Sequence, residues 1–203
     1  MMGTTEMVRE KAQQLPLGHP VSAKTFATYG SRAAVDQALS RLVKDGVLSR
    51  PTRGVYLRPR TSPHIGEVPA EPMKVAEAIA AEFGGVVQIH GAEAARRLGF
   101  STQVPARPIF YTSGPNRRFY LGQMEVTLKH VSARKLALAG SMAGVALTAL
   151  WYLGKDNVSP ETIERVRARL APEEFEALRT ATQVMPGWMR DAFADHEGKV
   201  PHA

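Results

Sequence analysis

The stretch from 31 to 58 constrains this chain more than any other. Val35, Ala38, Leu39, Leu42 and Val43 recur at helical spacing and make one apolar stripe on a helix expected from Arg32 to Lys44. Ser31 stands at the N-cap position, where a side-chain oxygen can accept from the first turn. Asp45-Gly46 closes the helix, with Gly46 where a left-handed residue is required. The opposite face carries Ala33, Gln37, Ser40, Arg41 and Lys44, and Arg32 sits in the first turn. Residues 47–50 and 55–58 then alternate around Pro51-Thr52-Arg53-Gly54, the pattern of a β-hairpin. Its tip and edges hold Arg50, Arg53, Arg58 and Arg60.

Upstream, Thr4 or Thr5 is placed to cap a first helix with Met7, Val8, Ala12 and Leu15 on one side, ended by Pro16 and Gly18. Ser22 is placed to cap a short second helix with Phe26 facing inward, and Tyr29-Gly30-Ser31 makes the turn into the third. Helix, helix, turn, helix, basic hairpin is the order of a winged helix-turn-helix. A helix with a small, polar outer face fits the major groove of DNA, about 12 Å wide. Arg pairs with guanine and Gln with adenine. The expected roles are therefore Arg32, Ala33, Gln37 and Arg41 toward base edges and Ser31 and Lys44 toward phosphates. Arg50, Arg53 and Tyr56 are expected to act in the wing. The same fold also serves protein contacts, and that alternative stays open at this point.

Charge supports a nucleic-acid partner. The net formal charge of the 203 residues is +7. It is concentrated in two blocks: +6 over residues 1–65 and +7 over residues 96–135, against −4 over 66–95 and −2 over 136–203. Clustered Lys and Arg are the electrostatic footprint of a nucleic-acid binder, although an acidic protein partner would also suit them. In the second block Arg96, Arg97, Arg117, Arg118, Lys129, Arg134 and Lys135 are candidates for a second nucleic-acid surface or for a surface that meets a partner.

Residues 61–72 contain three prolines and a glycine and cannot hold a regular helix, so the domain boundary is expected here. Residues 1–65 form the expected DNA-binding domain and 66–203 a C-terminal domain of sheet plus helices. Helical spacing resumes from Met73 to Phe83. Strands are expected over 86–89, 108–112, 117–121 and 124–130, with a helix from Ala92 to Leu98 and helical pieces from Arg134 onward. In the last strand Met124, Val126, Leu128 and His130 share one side. The fold class is α+β.

The run from Leu136 to Leu153 has 18 residues without a charge and contains Gly140-xxx-Gly144. Its alanines, glycines, Ser141 and Thr148 dilute the hydrophobicity, so it reads as buried core helix and no membrane partner is expected. Residues 1–17 carry charges and show no secretory h-region. The absence of cysteine excludes a disulfide framework, a thiolate metal site and a cysteine nucleophile, and fits a reducing compartment. The expected location is the cytoplasm.

Nothing in the chain spells out catalysis. His19, His64, His90, His130, His196 and His202 include no pair at spacing three or four, so no metal or other cofactor is expected. Asp191, Asp195, His196 and Glu197 read as a frayed, solvated end. There is no phosphate loop and no Gly-x-Ser-x-Gly elbow. Gly30-Ser31 hints at a nucleotidyltransferase, but no Asp-x-Asp follows to hold its metal. An enzyme acting on nucleic acid, such as a nuclease, is thus a poorer fit than a binding protein.

Several strings together resemble one family. Gly30-Ser31-Arg32-Ala33-Ala34-Val35-Asp36-Gln37-Ala38-Leu39-Ser40-Arg41-Leu42, Lys44-Asp45-Gly46 and Arg53-Gly54-Val55-Tyr56 resemble the winged-helix start of the AbiEi-type antitoxins. These belong to type IV, abortive-infection toxin–antitoxin systems. Gln88-Ile89-His90-Gly91-Ala92-Glu93-Ala94-Ala95-Arg96-Arg97-Leu98-Gly99, Thr102-Gln103-Val104-Pro105-Ala106, Leu128-Lys129-His130-Val131-Ser132 and Arg134-Lys135-Leu136 are similar to the family's second half. The likeness spans about residues 20–155. It implies a non-enzymatic transcriptional repressor whose N-terminal domain binds inverted repeats in its own promoter. It also implies a C-terminal domain that counteracts a nucleotidyltransferase-like toxin, with or without a direct complex. A stand-alone regulator or a protein-interaction module without a toxin is the alternative.

Overall fold

The computed structural model describes residues 2–64 and 66–199. His202 and Ile65, the residue at the expected domain boundary, lie outside them. The fold is α+β with small antiparallel sheets. The chain divides into two compact units: Met1–Gly85 with Arg117–Thr127, and Val86–Asn116 with Leu128–Ala203. Residues 66–85 thus group with the first unit, because their helix packs there.

In the first unit, α1 (Thr4–Gln13) leads through β1 (Val21–Ser22) and a 3-10 helix (Ala23–Tyr29) to α2 (Arg32–Lys44). The cap of α1 is Gly3 and not a threonine: no side chain bonds the first turn, and the backbone carbonyl of Gly3 accepts from Glu6 and Met7. Val8, Ala12 and Leu15 meet Phe26 and the α2 stripe Val35, Ala38, Leu39 and Leu42 in one core, which Leu48 and Tyr56 complete. Most of these side chains are wholly excluded from water, and such burial stabilises by roughly 1.5–3 kcal/mol per large aliphatic residue.

The first strand of the hairpin starts two residues later than its alternation predicts, whereas the second starts at Val55 as expected. Val47 and Leu48 are used up in closing α2, both backbone amides donating to the Leu42 carbonyl. The strands are β2 (Ser49–Thr52) and β3 (Val55–Leu57), with Arg53 and Gly54 at the tip and Gly54 at φ +81°. β1 adds to the far side of β3, giving the order β1-β3-β2. Two short strands, β4 (Thr61–Ser62) and β5 (Gly66–Glu67), pair within the proline-rich stretch. α3 (Pro72–Ala81) then buries Val75, Ala76 and Ile79 and packs on β1 and β3.

In the second unit, β6 (Val87–Ile89) pairs antiparallel with β7 (Ile109–Thr112), and α4 (Gly91–Arg97) lies between them in the chain. The sheet order is β6-β7-β9-β8, in which β8 (Arg117–Leu121) belongs to the first unit and β9 (Met124–His130) passes from the first unit into the second after Thr127. On β9, Val126 and Leu128 are buried as expected, whereas Met124 and His130 at its ends are exposed. The uncharged run contains α5 (Met142–Leu153), buried from Ala143 to Leu150. Gly140, at φ +88°, separates it from a 3-10 turn over Ala133–Leu136. Among the described residues no helix is long and apolar enough to cross a membrane. α6 (Pro160–Arg167), α7 (Pro172–Thr180) and α8 (Gly187–Lys199) follow.

Asp191, Asp195, His196 and Glu197 are not a frayed end: they lie within α8. His196 on α8 is 6% exposed and its Nε2 lies 2.8 Å from Oε2 of Glu164 on α6. The apolar face of α8, with Met189, Ala192 and Phe193 buried, carries His196 inward.

Gly144 is the tightest point of the second unit. A Cβ there would collide with the Leu138 carbonyl and crowd the buried Gln88 amide at 3.0 Å. We expect Gly144→Ala to destabilise the chain by about 1–3 kcal/mol, as overpacked sites do. The urea midpoint measures it. An unchanged midpoint would contradict the packing of α5 described here.

Candidate nucleic-acid interface

Burial sets the rotation of α2, and the rotation sets what faces outward. With Val35, Ala38, Leu39 and Leu42 inside, Arg32, Ala33, Asp36, Gln37, Ser40, Arg41 and Lys44 are all exposed. The Ser31 hydroxyl accepts from the Ala34 amide at 3.3 Å, so it holds the helix start. Arg41 and Lys44 in the last turn complement the negative end of the helix dipole. At the same end Asp45 takes the Arg9 guanidinium at 2.9 Å, tying α1 to α2.

Asp36 is an acid on this otherwise basic face. Its carboxylate lies 3.9 Å from the Arg32 guanidinium, whose side chain stays 96% exposed. An exposed pair of this length constrains Arg32 little.

In the β2–β3 hairpin, Arg50 and Arg53 are exposed. Tyr56 departs from its expected role as a contact residue. It is 5% exposed and belongs to the core, with the Arg50 guanidinium 5.6 Å from its ring centre. Burial pushes its hydroxyl pKa up, opposed by Arg50 and aided by Asp36. Tyr56 therefore supports Arg50 from beneath. Arg58 is structural, donating to the Gln13 carbonyl at 2.9 Å, whereas Arg60 is exposed beside Gly18.

The second basic block is not one surface. In the second unit, Arg96 and Arg97 both reach Glu93, at 2.7 and 2.9 Å. Arg134 donates to the carbonyls of Val184 and Met185. Arg134 and Lys135 also lie 5.5 and 5.0 Å from the Trp151 ring centre. Lys129 is exposed near His90. Arg117 and Arg118 lie on β8, in the first unit.

His90 has a local role. Its Nδ1 accepts from the Ala92 amide at 3.2 Å, and its ring sits 4.8 Å from that of Tyr111 and 5.9 Å from that of Tyr152. Burial, then Lys129, push its pKa below the ordinary value. Among the described residues no three His, Asp or Glu side chains gather as a metal site.

Sequence reading missed Tyr120, 56% exposed on β8 beside Arg118, and the inward turn of His196. Strand alternation carries a signal for the first, since Phe119 between them is the buried partner. The second requires knowing that α8 continues past Phe193.

The chain belongs to a family of unknown function (DUF6088), whose model matches residues 7–178. No curated protein matches it. Among solved structures, the Rv2827c protein from Mycobacterium tuberculosis is similar at 16% identity. The likeness covers 96% of this chain and 81% of that one, with a TM-score of 0.40.

The Glu93 cluster has a measurable signature. Hydrogen bonding from Arg96, against the opposing effect of burial and with help from Arg97, holds the Glu93 carboxyl at about 2, below its ordinary 4.5. Its share of stability is present above pH 4.5 and is lost as pH falls through 2. Solvent screening keeps that share to ~1 kcal/mol or less. A carboxyl NMR titration should place Glu93 near 2, and Glu93→Gln should flatten the acid limb of the stability curve. A midpoint at 4.5 would refute the cluster.

Proposed function

We propose that this chain is a winged helix-turn-helix repressor that binds inverted repeats in its own promoter through α2 and the β2–β3 wing. The carrying observation is the outer face of α2. Seven small or polar residues along 13 helical residues are exposed together, next in the chain to a hairpin with Arg50 and Arg53 free to reach outward. Such a helix is roughly 20 Å long and fits the major groove end-on or along its length. Arg41 and Gln37 suit guanine and adenine edges, Arg32 and Ala33 lie within reach of neighbouring bases, and Lys44 and Arg53 suit phosphates. Ser31 acts by holding the helix end against the backbone.

The sheet order β1-β3-β2 supports the wing reading, since a third strand pairs with β3 at Val55 and Tyr56 and the Ala23 amide donates to the Gly54 carbonyl, bracing the hairpin beside its tip while Arg53 stays exposed. The local charge of +6 over residues 1–65 supplies the non-specific attraction on which specific binding builds.

We further propose, from the sequence resemblance, that the chain serves as a cytoplasmic antitoxin countering a nucleotidyltransferase-like toxin. The remainder of the chain would carry that activity, and no catalytic step of its own is asked of it. Lys129, exposed at the end of β9, is a cation of the second unit open to such a task.

A variant series tests the DNA reading. Gln37→Ala and Arg41→Ala should each relax preference for the promoter sequence at a cost of ~1–3 kcal/mol. Arg53→Ala should weaken binding to every sequence alike and lower the salt slope by about one. Tyr56→Phe should leave affinity unchanged. Arg41→Ala with native affinity and preference would remove α2 from the interface, and a protein-binding role for the same face would then be the better account.

A further inference from the structure

β8 places an exposed Arg–Tyr pair beside the wing. It runs alongside β2 within the first unit and is the last strand in its sheet order. Its side chains alternate: Phe119 is 4% exposed, while Arg118 and Tyr120 share the outward face. The Arg118 side chain is 73% exposed and that of Tyr120 is 56% exposed as a residue. The facing acid is Glu125 on β9, 3.5 Å from the Arg118 guanidinium and itself engaged elsewhere. The pair is long, only the Arg118 end stands in solvent while the Glu125 side chain is 18% exposed, and a guanidinium has five donors. A phosphate can therefore take Arg118 without breaking the fold.

We propose that the Arg118–Tyr120 face of β8 is a second clamp on the DNA backbone, continuous with the wing. The inference rests on the DNA reading of α2. Arg118 pairs with a phosphate, and the Tyr120 hydroxyl donates to a phosphate oxygen while its ring covers the deoxyribose. Phosphates are the commonest partners of both side chains in protein–DNA contacts, and they position the protein without reading sequence. The occupant is the same duplex: the neighbouring strand β2 already carries Arg50, and the tip Arg53 leads toward it. This division also sets Arg118 apart from most of the second basic block. Arg96, Arg97, Arg134 and Lys135 are held by Glu93, backbone carbonyls and Trp151, whereas Arg118 meets Glu125 at 3.5 Å and keeps 73% of its side chain exposed.

The test uses the full chain and a duplex of its own promoter region, with anisotropy over a salt series. Arg118→Ala should reduce the steepness of log K against log salt by about 0.9, and Arg118→Lys should restore it. Tyr120→Ala should weaken binding about tenfold. Neither variant should change the ratio of native to scrambled affinity. Shortening the duplex on the wing side should abolish the difference between Arg118→Ala and the parent chain. If Arg118→Ala and Tyr120→Ala keep parental affinity and slope while Arg53→Ala weakens, the clamp is refuted and the wing interface stands. If the parent chain shows no preference for the native duplex, both fall.

Discussion

The burial of Val35, Ala38, Leu39 and Leu42 against α1 and Phe26 is the contact on which the rest depends. Four inward positions fix the helix to one rotation, and rotating it by a single residue would expose leucine and bury arginine. The outer face then owes its composition to what the core rejects. Capping reinforces the same choice at both ends, through the Ser31 hydroxyl and through Arg9 on Asp45. The β2–β3 hairpin is placed by the same core, because Leu48 and Tyr56 are members of it. Helix and hairpin therefore share one support, and a change in packing beneath one would be felt by the other.

Cations in this chain are separated by what holds them. Arg58, Arg96 and Arg134 spend their donors on the Gln13 carbonyl, Glu93 and the Val184–Met185 carbonyls. Arg41, Lys44 and Arg53 are exposed on α2 and at the hairpin tip. Counting charge along the sequence treats these groups alike. Local geometry distinguishes a guanidinium that braces the fold from one available to a phosphate, and that distinction underlies both proposals.

Where a segment carries its own stop signals, its sequence places it well. α2 runs from Arg32 to Lys44 as the stripe, the Ser31 cap and Gly46 require, and β8 and β9 have the expected ends because turn residues bound them. The errors arise where partners elsewhere decide. β1 is two residues long and exists only because β3 offers a free edge. Val47 and Leu48 alternate like a strand, yet their amides close the helix on Leu42. Three prolines mark a break in regular structure, but α3 beyond them still packs on β1 and β3. Tyr56 looks like a wing contact by position, and only the three-dimensional core shows why it is inside. His196 lies among acids in sequence and is buried because Met189 and Phe193 draw its helix inward.

The most direct test of the central claim is fluorescence anisotropy of the purified chain on a duplex from its own upstream region and on a scrambled duplex, each at two salt concentrations. The account predicts a preference for the native duplex of at least ~10³, the low end for sequence-specific proteins. Equal and salt-sensitive binding to both duplexes would contradict it, leaving a basic surface without base readout.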